Sequence, residues 1–231
     1  MLSHILFDLD GTLTDPKEGI IRCIQFSLDQ LGVRSPQADQ LTWCIGPPLR
    51  GSFSRLLNTA DDALLDQALF YYRKRFSAAG MYENALYPGI MLALRRIRAA
   101  GFRVFLATSK PRVFARQILD HFDLTQFFHA IHGSELDGRL SDKGELVAHI
   151  LDLEGLDPKA TLIVGDRSHD IIGGKKNGLM TAAVTYGYGT REEIIASKPD
   201  MIFASPSDLA AFLESKAVPA EAVEPTAHRV G

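Results

Sequence analysis

The sequence predicts an α/β fold, a parallel sheet whose first strand leads at once into an inserted all-helical unit. Three observations predict it. Over the second half of the chain, short apolar runs alternate with helix-periodic stretches, the pattern of strands joined by crossover helices. From Pro16 to Asn84 the periodicity is helical, with no convincing strand. Several apolar runs end in a carboxylate or a hydroxyl, as expected where a parallel sheet offers its carboxyl edge to a ligand.

Ile5, Leu6 and Phe7 form the apolar body of the first strand. Gly11 ends it and allows the backbone turn that would bring Asp10 to the same site as Asp8. Ile20, Ile21, Ile24, Leu28 and Leu31 recur at helix spacing until Gly32 stops the run. Residues 49–57 and 63–76 are two further apolar-periodic pieces. The character changes at Tyr87-Pro88-Gly89, which with Pro16 brackets the insert as a candidate hinge. A helix over 90–100 then ends at Gly101, followed by a strand over 104–107 and a helix over 112–122. A short strand near 130–131, a helix over 144–153 and a strand over 161–164 come next. A helix over 170–177 ends at Gly178. Strands over 181–184 and 201–203 are each followed by a helix. The predicted division is a Rossmann-like core of residues 1–15 and 87–217, and a helical cap of 16–86 that would sit over the carboxyl edge as a lid. The Ala-, Pro- and Glu-rich stretch 218–231 reads as a disordered tail.

With 231 residues, 46% hydrophobic and 23% charged, the chain has ordinary globular composition. Its formal net charge of -3, with no strong basic block, gives no reason to expect a nucleic-acid or membrane partner. Cys23 and Cys44, the only cysteines, form no close metal-type pair and suit a reducing compartment. The amino terminus has no signal-type pattern, and no stretch is long and apolar enough to span a bilayer, so a cytoplasmic location is expected. No oligomeric state is legible.

Four polar points fall at or near strand ends. Asp8 and Asp10 follow the first strand; a carboxylate there can attack phosphorus or ligate a hard cation, and a second can move protons. Thr108 and Ser109 follow the strand over 104–107, where a hydroxyl and fresh backbone N–H groups suit phosphate oxygens, although an N-cap serine before Pro111 would look the same. Lys143 stands at a helix start, against the helix dipole; it would neutralise a phosphoryl oxygen or be a solvated lysine. Asp166 and Asp170 follow the strand over 161–164 and would lie one helical turn apart. They would ligate a metal and its water, or act as ordinary helix-start acids. His169 between them receives no role. In this order, on successive βα units, the four points would converge on one crevice holding a nucleophile, a divalent-ion cage and positive charge.

These residues resemble the haloacid dehalogenase superfamily of phosphohydrolases. The motifs are FDLDGTLTD (Phe7 to Asp15), TSKP (Thr108 to Pro111), Lys143 and GDRSHD (Gly165 to Asp170). The resemblance covers nearly the whole core. The insert is similar to that of the small-cap subclass, which includes phosphoglycolate phosphatase and related nucleotide phosphatases. The resemblance implies that Asp8 attacks phosphorus and that Asp10 protonates the leaving alkoxide and later activates water. It implies Mg²⁺ held by the Asp8 carboxylate, the Asp10 carbonyl and Asp166, with Asp170 supporting its hydration shell. Thr108 and the Ser109 amide would bind phosphoryl oxygens, and Lys143 would offset their charge. Dehalogenases proper lack the second acid of the first motif, so Asp10 argues for phosphate chemistry. Ser109 stands where many phosphoglycolate phosphatases carry Asn. GDRSHD and the later GYGTREE (Gly187 to Glu193) resemble a 5′-nucleotidase-like group.

In the insert, Ile45-Gly46-Pro47-Pro48-Leu49-Arg50 is the stiffest loop. In resembling proteins this loop reaches the substrate, which makes Gly46 and Arg50 candidate contacts. Arg50 would suit a second anionic group or be a solvated charge. Trp43 reads as cap core. The expected function is thus an Mg²⁺-dependent phosphomonoester hydrolase acting through an aspartyl-phosphate on a small metabolite, phosphoglycolate-like or a nucleoside monophosphate. The alternatives are a phosphomutase of the same superfamily and a receiver-like phospho-acceptor module.

Overall fold

The structure, a computed structural model, describes residues 1–217; the predicted tail lies outside them. In chain order it contains β1 (His4–Phe7), β2 (Thr14–Asp15), α1 (Lys17–Gln30), α2 (Leu49–Leu57), α3 (Asp62–Arg75), β3 (Ala85–Leu86), α4 (Ile90–Ala99), β4 (Arg103–Pro111), α5 (Arg112–His121), β5 (Ala130–Ser134), α6 (Lys143–Glu154), β6 (Thr161–Gly165), α7 (Ser168–Lys176), β7 (Met180–Val184), α8 (Arg191–Ser197), β8 (Met201–Phe203) and α9 (Pro206–Lys216).

Six strands form one parallel sheet in the order β5-β4-β1-β6-β7-β8. The chain therefore builds outward from β1 in both directions, and β1 and β6 meet at the point where the order reverses. That is where an open α/β sheet leaves a crevice. Side chains alternate between the two faces, as the two-residue strand period requires. Ile5, Phe7, Val104, Leu106, Leu162 and Val164 belong to one core cluster, and Leu6, Phe105, Ala107 and Ile163 to another with Leu146, Val147 and Ile150 of α6. Burial on both faces explains why these strands read as unbroken apolar runs.

The register sets the level of the site. Phe7 lies opposite both Leu106 and Val164, so Asp8, Thr108 and Asp166 emerge within a residue of one another along the strand direction. β4 is longer than the strand expected over 104–107. It runs through Thr108, Ser109 and Lys110 with a register shift before Pro111, because Gly133 and Ser134 continue the pairing. The three residues thus lie in extended chain, and α5 starts at Arg112.

Between β2 and β3 the chain is helical, with a 3₁₀ stretch at Ala38–Cys44 and a π-helical turn at Phe76–Gly80. α1 packs on α3, where the buried Ser27 hydroxyl donates to the Ala68 carbonyl at 2.7 Å. The two ends of this region are held side by side by the antiparallel pair β2–β3, Thr14 opposite Leu86. Two-residue strands carry no periodic signal, and the sequence reading did not contain them. Cys23 and Cys44 are both free and buried. No helix among the described residues is long and apolar enough to cross a membrane.

Candidate active site

Asp8 follows β1, and its N–H donates to the Val164 carbonyl at 2.9 Å, extending the sheet ladder by one step. Two residues on from Leu6, it faces the α6 side, where Lys143 is the first residue of the helix. The Lys143 ammonium is almost wholly buried. It donates to Asp8 Oδ1 at 2.9 Å and to the Ala107 carbonyl at 2.8 Å, and lies 2.8 Å from Asp170 Oδ1. The misplaced helix-start cation thus has three oxygen partners. Asp8, Asp166 and Asp170 offer carboxylate oxygens that all lie within 4.8 Å of one another.

Burial shapes the charge here. It would lower the Lys143 ammonium, but Asp170 and Asp8 outweigh it and hold the lysine above its ordinary range. Burial works to raise Asp170, but Lys143 overrides it and keeps Asp170 below the usual carboxylate value. Burial raises Asp8, opposed by Lys143 and reinforced by Asp170. Asp166 is pushed well above the usual range, by burial first and then by Asp170 and Asp8. One cation for three buried carboxylates leaves an excess of negative charge, with Asp166 Oδ1 unpartnered. An all-oxygen, carboxylate-rich donor set fits a hard divalent cation.

Asp10 is brought back toward Asp8 by the turn at Gly11. Gly11 has φ +84°, its N–H donates to the Thr14 carbonyl at 2.8 Å, and an added Cβ would fall 2.2 Å from Asp166 Oδ2. Asp10 and Asp8 line the same cavity, but the Asp10 carboxylate does not join the trio. Its Oδ2 pairs with Lys110 Nζ at 2.8 Å, both side chains being nearly buried, while its Oδ1 is buried without a partner. Lys110 also sits over the Phe76 ring of the π-helical turn, 4.5 Å from its centroid. Thr108 and Ser109 line the cavity beside Asp8. The Thr108 hydroxyl accepts from the Lys110 N–H at 3.3 Å, and the Ser109 hydroxyl is buried without a partner.

The cavity, about 1050 Å³, extends from these residues to the cap. Gly46 and Arg50 both line it, as do Asp8, Asp10, Thr108 and Ser109, while Asp166 and Asp170 belong to the trio beside it and Lys143 is paired with two of that trio. Arg50 is nevertheless engaged already: its guanidinium pairs with Asp62 at 2.6 Å and Asp66 at 2.5 Å.

Four residues that received no individual role from the sequence support the site. Lys110 holds Asp10. The Tyr188 N–H donates to Asp166 Oδ2 at 2.7 Å, and its hydroxyl donates to Asp15 beside the junction of cap and core. Arg167 and Glu193 link the loop after β6 to the cap. Lys110, Arg167, Tyr188 and Glu193 all fall inside motifs recognised from sequence, which is the only signal that could have found them.

A sequence profile of the haloacid dehalogenase-like hydrolases matches residues 5–184. The chain belongs to that family. It is 45% identical over 212 residues to a 5′-nucleotidase of Pseudomonas aeruginosa, a match covering 92% of this chain and 96% of the relative. It is 38% identical to the tyrosine-protein kinase PtkA of Mycobacterium tuberculosis over 82% of this chain and 64% of that protein. The crystal structure of a predicted phosphatase from Clostridium acetobutylicum superposes with a TM-score of 0.89 at 39% identity, covering 93% of this chain and 99% of that one. Among haloacid dehalogenase-like hydrolases, this one stands with the phosphatases.

Proposed function

We propose that this hydrolase cleaves phosphate monoesters through Asp8, with nucleoside monophosphates as its substrate class. The observation that carries the reading is the buried trio Asp8, Asp166 and Asp170, with Lys143 paired to Asp8 and Asp170, beside a cavity that Asp10 and Thr108 share. An Asp8 carboxylate oxygen bonds to phosphorus as the bond from phosphorus to the ester oxygen breaks. Asp10 gives its proton to that oxygen and the alcohol leaves. A water then loses a proton to Asp10 as its oxygen attacks the phosphoaspartate, the Asp8–phosphorus bond breaks, and inorganic phosphate departs. Lys143 keeps Asp8 in place for attack by fixing one of its oxygens. Thr108, the Ser109 amide and Gly46 line the path of the substrate. Asp8, Asp166 and the Asp10 carbonyl would hold Mg²⁺ with Asp170 beside it, and the bound ion would supply positive charge to offset that of the phosphoryl group.

The size of the cavity supports a leaving group larger than a two-carbon acid. Its cap side offers apolar contact through Leu49, Leu69 and Phe70, beside the charged Arg50, Asp66, Arg73 and Lys74. Arg50, the candidate for gripping a second anionic group such as the carboxylate of phosphoglycolate, is already paired with two aspartates. The relative named 5′-nucleotidase agrees with this choice.

The test is release of inorganic phosphate from p-nitrophenyl phosphate, nucleoside monophosphates and phosphoglycolate in Mg²⁺. Nucleotides should rank first by kcat/KM, and Asp8→Asn should abolish turnover while the chain still folds, with a cooperative melting transition. Absence of phosphate release from the whole panel would overturn the reading. Isomerised product without free phosphate would indicate a mutase, and a stable phosphoprotein a receiver.

A further inference from the structure

Arg167 follows Asp166 directly, yet its side chain leaves the carboxylate trio and runs to the cap. Its Nε donates to Glu193 Oε1 at 3.0 Å and Oε2 at 3.2 Å, and its Nη1 donates to the Ile45 carbonyl. Glu193 is fixed in turn by the Ser168 N–H at 2.8 Å and the Ser168 hydroxyl at 2.9 Å. The stem of the arginine is packed as tightly as its head. Gly46 has φ +100°, and a Cβ built there would stand 3.0 Å from Arg167 Cγ and 3.5 Å from His169 Cε1. Neither Arg167 nor Glu193 lines the cavity, but Gly46, Pro47 and Pro48 do. The two prolines make the loop stiff, so its position at Ile45 is passed on to the cavity wall instead of being absorbed.

We propose that Arg167, braced by Glu193, is a positioning residue that docks the Ile45–Pro48 loop on the core and so sets the discrimination between long and short phosphate esters. The proposal rests on the phosphomonoesterase reading. A guanidinium can serve Glu193 and the Ile45 carbonyl at once through different nitrogens, which an ammonium on a flexible stem does not reproduce. An ester long enough to touch the loop draws binding energy from it for the reaction; an ester too short to reach it does not.

The experiment compares kcat/KM for a nucleoside 5′-monophosphate and for methyl phosphate in wild type, Arg167→Met, Arg167→Lys and Glu193→Gln, with hydrogen exchange of the peptide spanning residues 42–51. In the two Arg167 variants the nucleotide should lose tenfold or more while methyl phosphate stays within threefold, and exchange of the peptide should quicken at least tenfold. Glu193→Gln should show the same pattern at smaller size. Equal losses on both esters, full retention of the ratio in Arg167→Lys, or unchanged exchange would overturn the proposal. The exchange arm needs no turnover. A wild type that released phosphate from neither ester would therefore sink the phosphomonoesterase reading while the docking contact was still tested.

Discussion

At the scale of single residues, Lys143 decides most. It stands among Asp8, Asp170 and the Ala107 carbonyl with almost no exposure. Lys143→Met would leave buried carboxylates with no counter-charge, a change that costs about 3–5 kcal/mol. For a chain of this size that is a fall in Tm of roughly 6–20 °C, measurable by calorimetry, together with loss of turnover. Both the residue and its oddity, a cation at a helix start, were legible in the sequence. Its partners were not, because Asp8 and Asp170 reach it only through the pairing of β1 with β6. Lys110 shows the same limit. It lay in view within TSKP, but its pairing with Asp10 depends on the Gly11 turn and on extended chain continuing past Thr108. No local pattern reports on either.

At the scale of elements, the junction between cap and core carries the specificity argument. The expected helices over 49–57 and 63–76 correspond to α2 and α3, since strong apolar periodicity survives into the folded state. β2 and β3, two residues each, and the π-helical turn at Phe76 lie below the length at which periodicity is informative. The Arg167–Glu193 contact has a pH signature. Burial alone would raise Glu193, but Arg167 and the Ser168 donors outweigh it and hold the carboxyl below its ordinary value. A depressed folded-state pKa means that the stabilisation is present above the unfolded value and is lost as pH falls through the folded one. The difference in Tm between wild type and Glu193→Gln should therefore be constant near neutrality and shrink below about pH 4.5. A difference that instead grew with acidification would contradict the assigned sign.

At the scale of the whole molecule, the excess of carboxylates in the trio predicts that a bound cation will stabilise the fold. Burial and mutual repulsion hold Asp8 and Asp166 above their ordinary range, so folding without an ion works against their ionisation. Added Mg²⁺ should raise Tm, by the equivalent of about 2.7 kcal/mol at a hundred times its dissociation constant. Removing it with a chelator should reverse the gain, and Asp166→Asn should blunt it. By itself the sequence determined the fold class, the order of the six main-sheet strands and the longer helices, and the candidate residues at strand ends, because buried strands need apolar runs and polar groups stand out where those runs end. Only the tertiary structure decided which charges neutralise which: Lys143 with Asp8 and Asp170, Lys110 with Asp10, Arg50 with Asp62 and Asp66, Arg167 with Glu193. Pairings between groups on different elements depend on register, burial and the packing of cap on core, and these come into being only when the whole chain has folded.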